Sequence, residues 1–413
     1  MSLILIKTVY AEHDNLMSKS HIMTAAVMAS AAFSAQAEIE IGGSASVEGR
    51  YFLQDALYPG QPRSQTSVAI EPEFYTQWND GQDSLLVKPF ARIDQRDSER
   101  THVDMREFQW LHVADEWETR VGVGKVFWGQ TESLHLVDII NQTDTVDQFD
   151  GEEKLGQPMV NFTTYGDWGT VSAFVLPYFR ERTFNGLDGR LRPGLPIDND
   201  RAVYESGAEQ QHLDYALRYQ NSLGEWEVGL SYFDGTTREP ELRASIEDQQ
   251  NAHIFPYYAQ IQQVGVDLLK VQGAWLLKFE GIYRTGQSED FAAAVTGFER
   301  TTVGVFGTNY DLGLLMEYQY DERENNFFAI GQNDLMVGAR WTFNDIDGTE
   351  LLAGYIQDLD NSGTYSGFVE ASSRMTDNWR WKLDAYFFSS DVPGTLNHLR
   401  RDDHLQVTLE YFF

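Results

Sequence analysis

From Glu38 to the last residue, apolar and polar side chains alternate with a period of two. Trp226, Val228, Leu230 and Tyr232 alternate with Glu227, Gly229 and Ser231. Tyr310, Leu312, Leu314, Met316, Tyr318 and Tyr320 form a second such row, and Trp379, Trp381, Leu383, Ala385 and Phe387 a third. This period predicts β-strands with one apolar and one polar face. The runs last about 10–14 residues, beyond the ~5–6 of a soluble strand and enough for the ~9–11 of a tilted strand crossing a bilayer.

The connections alternate in kind. Tight polar turns are expected at 79–81, 114–116, 166–167, 222–224, 272–273, 307–308, 345–348 and 376–378. Less regular segments, several of them long, occupy 54–65, 97–101, 128–157, 180–208, 236–255, 286–290, 322–331, 359–363 and 389–402. Eight short turns and nine other connections imply 18 strands, although weak alternation at 158–165 and 291–306 leaves 16 open. The predicted fold is all-β: a transmembrane antiparallel up-and-down β-barrel spanning 38–413, with short periplasmic turns and long extracellular loops. Aromatic girdles are expected at both rims, with Trp78, Trp117, Trp168 and Trp226 on the short-turn side and Tyr178, Phe179 and Trp128 on the long-loop side.

Composition fits this picture. A mean hydropathy of −0.41 suits a barrel whose inner face is polar. With 63 acidic against 31 basic residues the formal charge is −32, which argues against nucleic acid as a partner. The absence of cysteine excludes disulfides and thiolate-held metals. Residues 17–37 read as a secretory signal peptide ending in the cleavage site Ala35-Gln36-Ala37, with 1–16 as an upstream extension.

The last ten residues place Leu405, Val407, Leu409, Tyr411 and the terminal Phe413 on one face. This resembles the C-terminal assembly signal of bacterial outer-membrane barrels. The resemblance implies export to the outer membrane of a Gram-negative bacterium, the barrel-assembly machinery as a partner, and contact with lipid and lipopolysaccharide. The architecture as a whole looks like the porin-type barrels, in pattern rather than identity. The stretch from Gly124-Lys125-Val126-Phe127-Trp128 to Asp138-Ile139-Ile140-Asn141 is similar to one in little-characterised proteobacterial outer-membrane barrels. Long-chain fatty-acid transporters fit less well, since strand character begins directly after the signal peptide. An alginate-type exporter is disfavoured by the acidic excess.

Selectivity in such a barrel comes from lumen-facing charge and from whatever narrows the pore. Segment 128–157 occupies the place where porins fold a loop inward, and it carries Glu132, Asp138, Asp144, Asp147, Asp150, Glu152 and Glu153 against a single basic residue, Lys154. It is expected either to constrict the pore and favour cations, or to lie outside and bridge lipopolysaccharide through divalent ions. Its Leu134, Leu136, Val137, Ile139 and Ile140 are placed to pack on the inner wall as a short helix. Inward faces should carry Lys88, Arg92, Arg96, Arg106, Arg120, Arg218, Lys278, Arg284, Arg340, Arg380 and Lys382, sharing those faces with Asp94, Asp104, Asp214, Glu280, Glu317 and Asp384. These charges either pair between neighbouring strands or set a basic wall opposite an acidic loop. No catalytic motif surrounds the nine histidines, of which His102, His112 and His212 are the rim candidates for an enzyme, and no cofactor or metal site is expected. The sequence thus points to a channel for small hydrophilic solutes. A closed scaffold barrel and a substrate-specific exporter remain as alternatives, and a homo-oligomer is compatible with either.

Overall fold

The structure is a computed structural model and describes residues 38–148, 150–246, 252–323 and 331–413. The expected signal peptide and its extension therefore lie outside the described residues. Eighteen antiparallel strands, each hydrogen-bonded to its neighbours in sequence, close into one barrel. The seam is made by the first strand, Glu40–Phe52, and the last, His404–Phe412, with Val47 opposite Leu409 and Tyr51 opposite Leu405. Closure removes both sheet edges, so every strand has its backbone partners supplied inside the protein, as a hydrocarbon surround requires. The weakly alternating stretches are the sixth strand, Gln157–Gly166, and the twelfth, Phe291–Thr302, which excludes the count of 16.

The side-chain alternation is resolved as expected. On the thirteenth strand, Asp311–Asp321, the side chains of Leu315, Glu317, Gln319 and Asp321 are buried inside while Leu314, Met316, Tyr318 and Tyr320 are exposed on the outer face. The eight short turns include the expected positions, although the one between the twelfth and thirteenth strands is longer, 303–310, and exposes Val303 and Phe306. In the first, Asn79, Asp80 and Gly81 have φ of 53°, 53° and 85°, a left-handed run that these residue types tolerate. Pro89 has no N–H to give its neighbour, and the register between the third strand, Asp83–Asp94, and the fourth, His102–Val113, shifts at Lys88/Pro89.

The girdle expectation needs correction at two of its three long-loop positions, since of these only Tyr178 is exposed. Trp117, Trp168 and Trp226 are exposed at the short-turn rim, but Trp128 and Phe179 are buried inside the barrel. Tyrosines on the outer faces of strands take their place, including Tyr51, Tyr215, Tyr232, Tyr283 and Tyr320. The long connection 236–255 also holds structure that no alternation announced. Glu241–Ile246 pairs antiparallel with Ala252–Tyr258, which in turn pairs parallel with Val203–Tyr204. A short helix, Thr395–Leu399, lies in the last long connection.

Candidate functional site

Segment 128–157 folds into the barrel and packs against one half of its interior. Val137, Ile139 and Ile140 are fully buried, and with Trp128 they meet Met159, Phe174, Leu176, Ala216, Phe233, Ile261, Ile282, Phe291 and Ala293. Those partners come from the sixth to the twelfth strands in unbroken succession, so apolar packing fills that side of the lumen. Among its described residues the segment is irregular and makes no helix, contrary to the sequence expectation. Its base is clasped by Asn141, whose Oδ1 accepts from Val126 N–H at 2.8 Å and whose Nδ2 donates to the carbonyls of Gly124 and Leu155.

Two wall carboxylates hold its leading edge. Glu280, on the eleventh strand, Trp275–Thr285, accepts from the amides of Gln130, Thr131 and Val137 and from the Thr131 hydroxyl at 2.6–3.3 Å. Glu317 accepts from the amides of Glu132 and Ser133, both at 2.8 Å, and from the Ser133 hydroxyl at 2.6 Å. Charged acceptors receiving several donors make strong hydrogen bonds, and unmaking them inside a low-dielectric interior is costly.

The acids of the segment divide into three environments. Asp144 and Asp147 are buried against arginines of the opposite wall: Arg106 lies 2.7 Å from Asp144 and 3.1 Å from Asp147, and Arg92 lies 2.6 Å from Asp147. Arg92, Arg100 and Arg50 also share Glu48 at 3.0 Å. Asp138 faces Lys154 at 3.4 Å, Glu153 pairs with Lys125, and Glu132 meets Arg340 at 2.7 Å. Glu152 contacts His135 at 3.1 Å. Burial alone would lower the His135 pKa, but Glu152 on one side and Glu280 on the other raise it to about 10. Asp150 is the third case: exposed at the tip of the segment, it accepts from the Tyr386 hydroxyl of the seventeenth strand, Trp379–Ser389.

Of the basic wall expected from sequence, Arg92, Arg106, Lys278 and Arg340 meet acids of the inserted segment directly, and the others, Arg96 excepted, pair with acids elsewhere. Arg92, Arg106, Arg218, Lys278 and Arg284 are buried, and Arg218 pairs with Asp267 at 2.9 Å while lying over the Trp128 ring. Arg284 pairs with Glu239 at 3.1 Å. Lys88 pairs with Glu73 and Arg120 with Glu118, both at 2.8 Å, while Lys382 reaches Glu410 at 3.0 Å and Arg380 lies 3.6 Å from Glu350. Arg96 does not belong to the wall: it lies beyond the end of the third strand and is exposed. Leu405, Val407, Leu409, Tyr411 and Phe413 are exposed on or beside the last strand. Of the rim histidines, His212 contacts Asp214 at 2.8 Å, but Asp214 is already engaged by Arg238 and Thr236. His112 contacts Asp83 at 2.9 Å and His102 lies 3.8 Å from Asp144.

The other side of the lumen keeps two cavities. On the long-loop side of the segment a cavity of about 240 Å³ is lined by Leu134, Asp150, Arg182, Phe184, Arg192 and His398 among others. A second, of about 230 Å³, is lined by Glu132, Arg340, Glu350, Glu370, Ser372, Arg380, Lys382 and Asp384. Tyr386 stands between them, donating to Asp150 of the first and lying 3.4 Å from Glu370 of the second. Glu370 and Glu350 escaped sequence reasoning, although both sit on the polar faces of alternating strands and that parity was the available signal.

No protein-family model and no curated protein sequence matches the chain. Among solved structures, a BenF-like porin from Pseudomonas fluorescens Pf-5 superposes with a TM-score of 0.53 at 10% identity, covering 92% of this chain and 99% of its own. A triple mutant of the Rhodopseudomonas blastica porin covers 91% and 100% at 13% identity, with a TM-score of 0.43. At such identities the likeness is one of fold, and the fold of this chain is that of a porin-like transmembrane β-barrel.

Proposed function

We propose that this chain is an outer-membrane channel of a Gram-negative bacterium, admitting small hydrophilic solutes by passive diffusion. The observation that carries the reading is the asymmetric filling of the lumen. Segment 128–157 is packed onto the sixth to twelfth strands and leaves a polar cavity against the fourteenth to seventeenth, with a second, largely apolar cavity above it among the long connections. The aperture lies where Asp150, Tyr386 and Glu370 meet, and solutes are selected there by size and charge. Most acids of the segment are neutralised by wall arginines and lysines, so the cation preference falls to Asp150 with Glu370 and Asp384. The exposed row Leu405, Val407, Leu409, Tyr411 and Phe413 serves as the assembly signal, and the outer surface meets lipid and lipopolysaccharide. Planar-bilayer recording tests the reading: discrete ohmic conductance steps are expected, and their absence at any voltage supports the closed-scaffold alternative instead.

A further inference from the structure

Glu370 and Asp384 stand directly opposite each other across the sixteenth strand, Tyr365–Arg374, and the seventeenth. Like charges in this position repel and destabilise a sheet unless a counter-charge joins them. Neither makes an ion pair with any of the described residues: Asp384 accepts only from the Gln406 amide at 3.2 Å, and Glu370 only from Tyr386. Two residues closer to the short-turn end, on the same inward face, the register pairs Ser372 with Lys382. Two residues further is Arg380, whose guanidinium donates to the Ser372 hydroxyl at 2.7 Å and keeps about a third of its side chain open to the cavity. One wall of the cavity of about 230 Å³ thus carries an acidic rung without an ion-pair partner among the described residues, followed by two basic rungs that each keep donors free beyond their contacts with Glu410 and Glu350. Successive inward residues are about 6–7 Å apart along a strand.

We infer that this wall is a binding station for zwitterionic solutes whose ammonium and carboxylate are separated by about one rung spacing, such as ω-amino acids and dipeptides. The ammonium meets Glu370 and Asp384, and the carboxylate meets the remaining donors of Lys382 and Arg380. A simple anion entering from the long-loop side meets Asp150 and the opposed pair first. A simple cation satisfies the acidic rung alone and leaves the basic donors unused. A molecule carrying both charges relieves both rungs at once. The inference deepens the channel reading above and rests on it.

The test is the swelling of liposomes containing the full barrel in isosmotic γ-aminobutyrate, compared with erythritol as a neutral solute of similar size. The wild type is expected to pass γ-aminobutyrate at least about threefold faster than erythritol, because complementary charge raises the local concentration of the solute at the aperture. The double variant Glu370→Gln with Asp384→Asn, which removes the repulsion without changing shape, should bring the ratio close to one. Lys382→Gln, which removes the opposite pole, should also lower it. A wild-type ratio near one, or a ratio unchanged in both variants, overturns the zwitterion station while leaving a channel. No swelling in either solute overturns the channel itself and the station with it.

Discussion

The hydroxyl of Tyr386, on the seventeenth strand, donates to the carboxylate of Asp150, on the tip of the inserted segment, at 3.1 Å. The two residues are separated by 236 positions in sequence. Their contact holds the tip to the wall that lines the aperture.

Replacing Tyr386 by Phe removes that donor and keeps the ring. A single hydrogen bond to a charged acceptor is worth about 1.5–3 kcal/mol, so the tip gains mobility while the segment stays anchored elsewhere. Single-channel recording should show greater open-state current noise and a modest rise in mean conductance. An unchanged trace contradicts the placement of the tip at the aperture.

Glu317 has the opposite character, because it holds the segment to the wall. Glu317→Ala leaves the amides of Glu132 and Ser133 without their acceptor, at a cost of about 1–3 kcal/mol. The expected outcome is a lower urea midpoint in lipid vesicles together with larger and more variable conductance. Glu280→Ala should act in the same direction, since Glu280 receives the amides of Gln130 and Thr131.

The acids of the segment separate into structural and functional groups, and charge-neutralising substitutions distinguish them. Asp144→Asn and Asp147→Asn each strand part of a buried arginine cluster, and breaking a buried pair costs about 3–5 kcal/mol at its most severe. These two variants should lose stability more than selectivity. Asp150→Asn should do the reverse, lowering the preference for cations with little change in the urea midpoint.

How much of this was legible in the sequence follows from the range of each interaction. Strand positions, the eight short turns and the strand count are carried by local alternation, which is why the row Leu314, Met316, Tyr318, Tyr320 could be assigned to the outer face. The inward course of 128–157 was readable as one of two options, from its position and its apolar run Val137–Ile140. Pairings set by distant chain segments were not readable. Arg106 meets Asp144 and Asp147 across some forty residues, and nothing local distinguishes it from Arg96, which ends up outside. Trp128 looked like a girdle residue because it follows a strand, yet it turns inward onto Phe174 and Arg218. The parallel pairing of Tyr257 with Val203 joins two loops, and such contacts have no period to betray them.

His135 gives the fold a pH signature. Its pKa is raised from 6.5 to about 10: burial opposes the shift, and the carboxylates of Glu152 and Glu280 outweigh it. A group with a raised folded-state pKa contributes fully below its unfolded value and loses that contribution as pH climbs through the folded one. The stability difference between wild type and His135→Gln should therefore be largest below about pH 6.5 and vanish progressively toward pH 10. Urea titrations of both proteins across that range check it, and a difference that grows with pH contradicts the assignment.

The central claim is an open lumen beside the inserted segment, narrowed by carboxylates that form no ion pair among the described residues. Its most direct test is the zero-current potential of the reconstituted barrel in a potassium chloride gradient. A potential of the sign given by potassium permeating faster than chloride, shifted toward zero in Asp150→Asn, is the predicted result. Conductance steps with chloride preferred, or a potential that Asp150→Asn leaves in place, would contradict it.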